Sequence, residues 1–346
     1  AGRETRADVT LERSPLDLAE LVVTATAGAR DPLTTPQSVA VVSNQALQER
    51  RSGSVGALLA DQVPGVFDLS TGPANGIPVI RGLSGTRVRM MQNGVGQEFY
   101  QYGVRHAAPT SLSEAERVEV VRGVSSLLYG SDALGGAINV LTRDLPTAPE
   151  GRTHFGGQVE ADFASMNDER SGLLDLHIAR GGLGVRAGFE LRDAGNLTTP
   201  GAPTFFDPNP ATGRFGDPKY AGELPFTNYE QRSGYLQAGV RGDFGRVEVF
   251  GNFWESDQNF LLPPGGPAGS TANPPLGVGI ELGNVQLSAK GSIIAGSTVI
   301  RPIVSFQRNT RQAADEGVTF EDATEFAVDL EKDVVTTRVE VGHRDG

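Results

Sequence analysis

The sequence predicts an α+β domain followed by a transmembrane antiparallel β-barrel (all-β) that is incomplete within the chain. Three observations predict it. The composition changes at Pro146-Thr147-Ala148-Pro149, between mixed helical and strand patterns and strict apolar/polar alternation. The alternation recurs in about nine segments, each about as long as a strand that crosses a bilayer at a tilt. Tight turns alternate with long links between those segments, as periplasmic turns and extracellular loops do in porin-like barrels. With 45 Gly and 21 Pro in 346 residues, the chain favours many short strands over long helices.

The first unit mixes both patterns. Residues 1–18 form an N-terminal tail with one short strand pattern (Val9, Leu11) before Ser14-Pro15, open to being the last strand of something upstream. Glu20-Leu21-Val22-Val23-Thr24-Ala25 is a β-prone hexamer with no partner strand nearby, open to an ordinary strand or to one offered to another protein by edge addition. Ser38 to Val42 is strand-like, Ser43 caps a short helix through Leu47 and Arg50, and Ser54 caps a second whose Val55, Leu58 and Leu59 share one face before Pro64-Gly65. Strands follow at Pro78 to Arg81 and Thr86 to Gln92, with Asn93-Gly94 as a turn. Ser113 and Glu116 have the spacing of a helix capping box.

The stretch from Arg117 to Arg143 runs from one strand through a helical turn at Ser126 to Tyr129, then through Gly130, Gly135 and Gly136 into a second strand at Ala137 to Thr142. Its glycines do not form a phosphate cradle. Gly136 and Ala137 stand where a P-loop requires Lys and Ser or Thr, and no Gly-x-Gly-x-x-Gly opens a helix. They are structural, serving positive φ or close strand approach.

In the second unit, Phe155, Val159 and Phe163 oppose Gln158, Glu160 and Asp162, and Leu183, Val185, Phe189 and Leu191 oppose Arg186, Glu190 and Arg192. The pattern returns at Leu174 to Ile178, Leu236 to Val240, Val247 to Phe253, Val285 to Ala289, Ile300 to Phe306, Phe326 to Leu330 and Val335 to Val341. Tight turns are expected at Gly181-Gly182, Gly242-Asp243, Gly291 to Ala295 and Lys332-Asp333, and long links at Asp193 to Glu230 and Glu255 to Gly279. Pro302 fits a strand interior poorly.

Several function classes are excluded. No Cys is present, so disulfides, thiolate metal sites and Cys nucleophiles are absent, and a net charge of −12 argues against nucleic acid as a partner. The four His (His106, His154, His177, His343) include no i, i+4 pair, and no Gly-x-Ser-x-Gly elbow occurs, so no enzyme is expected. Asp207 to Ala211 starts like a calcium loop, but Ala211 and Thr212 occupy positions that need other residues. No run reaches the ~18 apolar residues of a membrane helix. The start shows no charged-then-apolar leader, so any signal peptide is expected to have been removed.

At this point the motifs resemble one family, the TonB-dependent outer-membrane receptors and transporters. They are Ile80-Arg81-Gly82, Met90-Met91-Gln92-Asn93-Gly94, Glu119 to Gly123, and Leu128 to Val140 with its Leu-Tyr-Gly-Ser-x-Ala-Leu-Gly-Gly-Ala-Ile-Asn-Val. The resemblance covers Glu20 to Arg143 closely and the rest only as barrel pattern. It implies a plug domain, with the TonB-box segment, at 19–148, inside a barrel of about 22 strands whose first part is 149–346. Glu20, Leu21, Val22, Val23, Thr24 and Ala25 match the TonB box, which pairs with TonB and its inner-membrane energising complex. Arg81 and Arg122 match plug arginines that lock to barrel carboxylates. Phe99, Tyr100, Gln101, Tyr102, Arg105 and His106 crowd an apical plug loop, either as contacts for a flat or iron-bearing ligand or as packing against the barrel wall.

The function implied is active import across the Gram-negative outer membrane, within outer-membrane lipid, of a scarce chelate of the iron-siderophore, haem or cobalamin type. No cofactor of its own is expected; iron, haem or cobalt would arrive with the cargo. A TonB-linked signalling receptor and a soluble binding protein with a plug-like domain remain as alternatives.

Overall fold

The computed structural model describes residues 38–49, 53–70, 72–97, 108–123, 129–198, 223–261 and 277–343. Strand β1 (Ser38–Ser43) leads into helix α1 (Asn44–Glu49), and α2 (Val55–Gln62) follows. Ser54 Oγ accepts from the Ala57 amide at 3.2 Å, as expected of a helix cap, and Val63 closes the far end in extended conformation ahead of Pro64. A hairpin, β2 (Val66–Ser70) and β3 (Gly76–Ile80), packs on α2. The sequence reading overlooked β2 because its one buried side chain, Val66, sits directly after the Pro64-Gly65 stop.

Next come β4 (Val88–Gln92), β5 (Val95–Gly96), β6 (Ala115–Arg122) and β7 (Gly136–Thr142), in a five-stranded sheet of order β1-β6-β7-β4-β5. Only β4 and β7 run parallel. The predicted capping box at Ser113 and Glu116 is not a helix start. Ser113 Oγ instead meets Ser111 Oγ at 2.7 Å, the chain turns, and Glu116 falls at a bulge of β6. Between β6 and β7 the glycines serve close approach. Gly136 has φ +155°, and a Cβ there would stand 2.3 Å from the Val121 carbonyl oxygen. Leu58, Leu59, Ile80, Val118, Val120, Ile138 and Val140 form the core of this unit, with α1 and α2 against its sheet.

Residues 153–343 form a single eight-stranded antiparallel sheet. Its strands are β8 (Thr153–Ala164), β9 (Glu169–Arg180), β10 (Leu183–Ala194), β13 (Tyr229–Gly242), β14 (Gly245–Leu261), β15 (Gly277–Ala295), β16 (Thr298–Ala313) and β17 (Val328–His343). A two-residue pair, β11 (Leu197–Thr198) and β12 (Glu223–Leu224), lies in the link after β10. Tight turns at 181–182, 243–244 and 296–297 share one end, and the longer links 165–168, 195–228, 262–276 and 314–327 share the other.

The alternation is inside out for a soluble protein. Leu174, Leu176, Val185, Phe189, Leu236, Val249, Val285, Leu287, Val335 and Val339 are exposed, while Asp175, Gln237, Glu248, Asn252, Gln258, Asn284, Gln286 and Gln307 are buried on the opposite face. An exposed apolar band over a buried polar face is what a membrane barrel needs, because lipid covers one side and a polar interior the other.

Two expectations are corrected here. Lys332-Asp333 is not a turn, so the last two predicted segments are one strand, β17. The outward positions of β17 change from Asp329, Glu331 and Asp333 to Val335 and Val339 where the strand enters the apolar band, and that change of character mimicked a break. The turn expected at Gly291 to Ala295 falls at 296–297, and β15 continues to Ala295. Pro302 does lie inside β16, opposite Val339 on one side. On the other side the pairing with β15 is interrupted between Lys290↔Ile303 and Ile293↔Ile300, as a residue without an N–H requires.

Candidate functional site

The chemistry of this chain is concentrated where the first unit meets the polar face of the barrel sheet. Arg143 leaves β7 and donates from Nη1 to Asp175 Oδ2 of β9 at 2.8 Å. Arg186 of β10 donates to the other Asp175 oxygen at 3.1 Å, and Tyr235 of β13 donates its hydroxyl to the same carboxylate. Asp175 is 2% exposed, so the charge is buried and met from three sides. Gln237 reinforces the junction by donating to the Arg143 carbonyl at 3.2 Å.

A second cluster is neutral in character. Glu114, in the turn before β6, accepts from Gln92 of β4 and from Asn252 of β14, the latter at 3.1 Å. Asn252 also donates to Gln92 Oε1 at 3.1 Å. Burial pushes the Glu114 carboxyl up to about 8; the two amide donors oppose the shift and nearby Glu190 adds to it. A third cluster is a chain of amides. Gln97 donates to Gln286 of β15 at 2.9 Å and accepts from Gln307 of β16 at 2.8 Å. Farther round, Arg338 of β17 donates to the Gly94 carbonyl at 3.2 Å.

Between α1, the 108–113 segment and strands β9, β10, β13 and β14 lies a cavity lined by Ser111, Arg143, Glu190, Arg192, Ser233 and Trp254 among others. Ser111 donates to Glu190 at 2.9 Å, and Arg192 pairs with Glu190 at 3.2 Å and with Glu169. The first unit is thus bound to the wall by hydrogen bonds on many strands, most of them between side chains. That arrangement holds position while leaving each contact individually replaceable.

Of the residues singled out from sequence, Glu20 to Ala25 and Phe99 to His106 lie outside the described residues. Arg122 donates to the Pro64 carbonyl and to Ser38 Oγ, both at 2.8 Å, binding β6 to the end of α2 and to β1. The Arg81 guanidinium lies over Gly123, whose missing Cβ would be 3.0 Å from Nη1. Sequence reasoning did not single out Arg143, Glu114, Gln97 or Asn252, and it named Gln92 only within a motif and Asp175 only as a charge on the polar strand face. Asn252 shares the alternating face with Asp175, but alternation does not say which residues meet, and Arg143, Glu114, Gln92 and Gln97 lie in the first unit, outside that pattern. Among the described residues no group of three or more His, Asp or Glu side chains is placed to hold a metal ion.

A mixed five-stranded domain seated on the polar face of an outward-apolar antiparallel sheet defines a plugged outer-membrane barrel. The model of the TonB-dependent receptor plug domain matches residues 31–137. An iron-regulated outer membrane virulence protein of Vibrio cholerae is 34% identical over 158 residues, covering 44% of this chain and 24% of that protein. A hemin receptor of Yersinia pestis is 33% identical over 181 residues, covering 51% and 26%. The pyoverdine outer membrane receptor FpvA of Pseudomonas aeruginosa superposes with a TM-score of 0.56 at 15% identity, over 93% of this chain and 56% of that one. The chain therefore spans about a quarter of the length of these curated relatives and about half of the solved structure.

Residues 31–137 are a plug domain of the TonB-dependent receptor type, and the sheet that follows has the fold of part of such a receptor's barrel. Family members are transport receptors rather than enzymes.

Proposed function

We propose that this chain is the plug and part of the barrel of an active importer for a scarce chelate of the iron-siderophore, haem or cobalamin type. The observation that carries this reading is the seam. A plug bound to the lumen wall through Asp175, Glu114, Asn252, Gln286 and Gln307 closes a barrel whose exterior suits lipid. Such a closed barrel conducts nothing until the plug is displaced, and its many replaceable polar contacts make displacement by an applied force feasible.

In this proposal the force enters at Glu20 to Ala25, which TonB grips by adding a strand. Backbone hydrogen bonds along an extended segment carry a pull without a covalent link. Phe99, Tyr100, Gln101, Tyr102, Arg105 and His106 contact the cargo, and Gln97 just before them is anchored to two barrel strands. Arg81 and Arg122 lock the plug to barrel carboxylates. Support for Arg122 comes from its Nε, which is buried and has no hydrogen-bond partner among the described residues. The domain division at residues 148–149 belongs to the same proposal, and the relatives named for iron regulation and hemin support the cargo class.

Growth of a deletion strain on defined iron, haem and cobalamin sources tests the reading. The expected result is failure on one source, restored by the intact gene. Val23→Pro, which removes a strand donor, is expected to abolish that growth while ligand binding persists. Normal growth of the deletion strain on all three sources would sink the import reading.

A further inference from the structure

His154 and His177 stand apart from the seam. In the β8–β9 hairpin His154 lies opposite Ala179 and His177 opposite Gly156, so the two imidazoles are diagonal neighbours on adjacent strands. Both share the parity of buried Asp175 and Ala179, whereas Leu174, Leu176 and Ile178 point outward, so both rings project from the polar face. Their ring centroids are 5.5 Å apart with planes inclined at 35°.

The residue between them is Gly156. A Cβ built there would stand 2.7 Å from Nε2 of His177 and 3.6 Å from Nε2 of His154. Any larger residue would fill that hollow, and with glycine both Nε2 atoms border it. On the far side of the ring, Nδ1 of His177 is 3.9 Å from Asp175 Oδ1 and has no hydrogen-bond partner among the described residues. The carboxylate is too far for the hydrogen bond that usually orients a metal-binding histidine, but it sets a negative charge behind one nitrogen while the other faces the hollow.

We propose that His154 and His177 form an exchangeable site for a divalent transition-metal ion of the Cu²⁺, Ni²⁺ or Zn²⁺ class. Imidazole nitrogens suit these ions, and the absence of oxygen ligands in the hollow disfavours Ca²⁺ and Mg²⁺. Asp175 is already paired with Arg143 and Arg186, so it does not itself ligate. Two protein ligands leave the remaining positions to water, which makes the ion replaceable. The site lies at the open end of the β8–β9 hairpin, beside the tight turn 181–182 that joins β9 to β10, the periplasmic end of such barrels. The inference does not depend on what the barrel carries.

The test uses the full receptor, purified in detergent, titrated with Cu²⁺ by equilibrium dialysis and followed by electron paramagnetic resonance. One Cu²⁺ per chain with two coupled nitrogens is expected. His154→Gln and His177→Gln are each expected to weaken binding at least tenfold, and the double variant to abolish it. Gly156→Val, which fills the hollow while keeping both imidazoles, is expected to do the same. Heat-modifiable migration on gels verifies the barrel in each variant, and the conservative Gln variants carry the test if Gly156→Val does not fold. Binding unchanged in the double Gln variant, or a spectrum with one coupled nitrogen, would overturn the proposal.

Discussion

Arg143 Nη1 lies 2.8 Å from Asp175 Oδ2, and this pair joins the last strand of the plug to the second strand of the barrel sheet. The carboxylate also holds Arg186 and the Tyr235 hydroxyl, so it is the common acceptor of the junction. Asp175→Ala would leave two arginines facing a buried site without their anion, at a cost of about 3–5 kcal/mol. Arg143→Ala leaves Asp175 still paired with Arg186 and is expected to cost less. Thermal unfolding of the purified receptor checks the order; equal shifts for the two variants would contradict it.

Glu114 makes the docking of the plug sensitive to pH. Its folded pKa is raised from 4.5 to about 8 because burial disfavours the charged form. The folded state therefore holds this proton more tightly than the unfolded state does. The stabilisation is complete below pH 4.5 and is lost as pH rises towards 8. Glu114→Gln keeps the hydrogen-bonding geometry without the ionisation, so its unfolding temperature is expected to fall less than that of the unaltered protein across this window. Parallel curves for the two proteins would count against the assignment.

Much of the fold was legible because each unit advertises its solvent. Ser54 before Val55, Leu58 and Leu59 predicts the capped α2, and the alternation from Phe155 to Phe163 predicts β8 nearly to its ends. Errors arose where a strand passes out of the apolar band. At Glu331 to Asp333 the outward face becomes charged, and Asp333 accepts two hydrogen bonds from Arg308 of β16 at 2.7 Å each, so polar residues that resemble a turn are mid-strand. The site was less legible than the fold. Gln286 and Gln307 stand opposite each other in the β15–β16 register, but only the placement of the plug brings the Gln97 amide to both.

The outward band predicts a directional effect of charge. Leu287 of β15 is 57% exposed, which is a liability in water and an asset in lipid. Leu287→Arg is expected to destabilise the inserted barrel by about 2–4 kcal/mol if it lies near the bilayer midplane. Outside the band, Arg308→Ala removes a fully exposed pair with Asp333 and is expected to change stability little. Urea unfolding in lipid vesicles measures both, and similar losses for the two variants would contradict the placement of the band.

Gln97 is the residue through which the end of β5 is tied to the wall. It is 4% exposed, and its amide serves Gln286 and Gln307 on two strands at once. Gln97→Ala removes the donor to one and the acceptor of the other, and a buried polar group left without its partner costs about 1–3 kcal/mol. Because these contacts are local, the loss is expected to appear first as faster proteolysis at the end of β5, ahead of any fall in global unfolding temperature. Gln97→Glu keeps the acceptor but loses the donation to Gln286 Oε1, setting two acceptors face to face, and is expected to loosen the end of β5 further. Limited proteolysis with mass-spectrometric mapping checks both variants, and cleavage unchanged in each would show that the amide chain does not anchor this strand end.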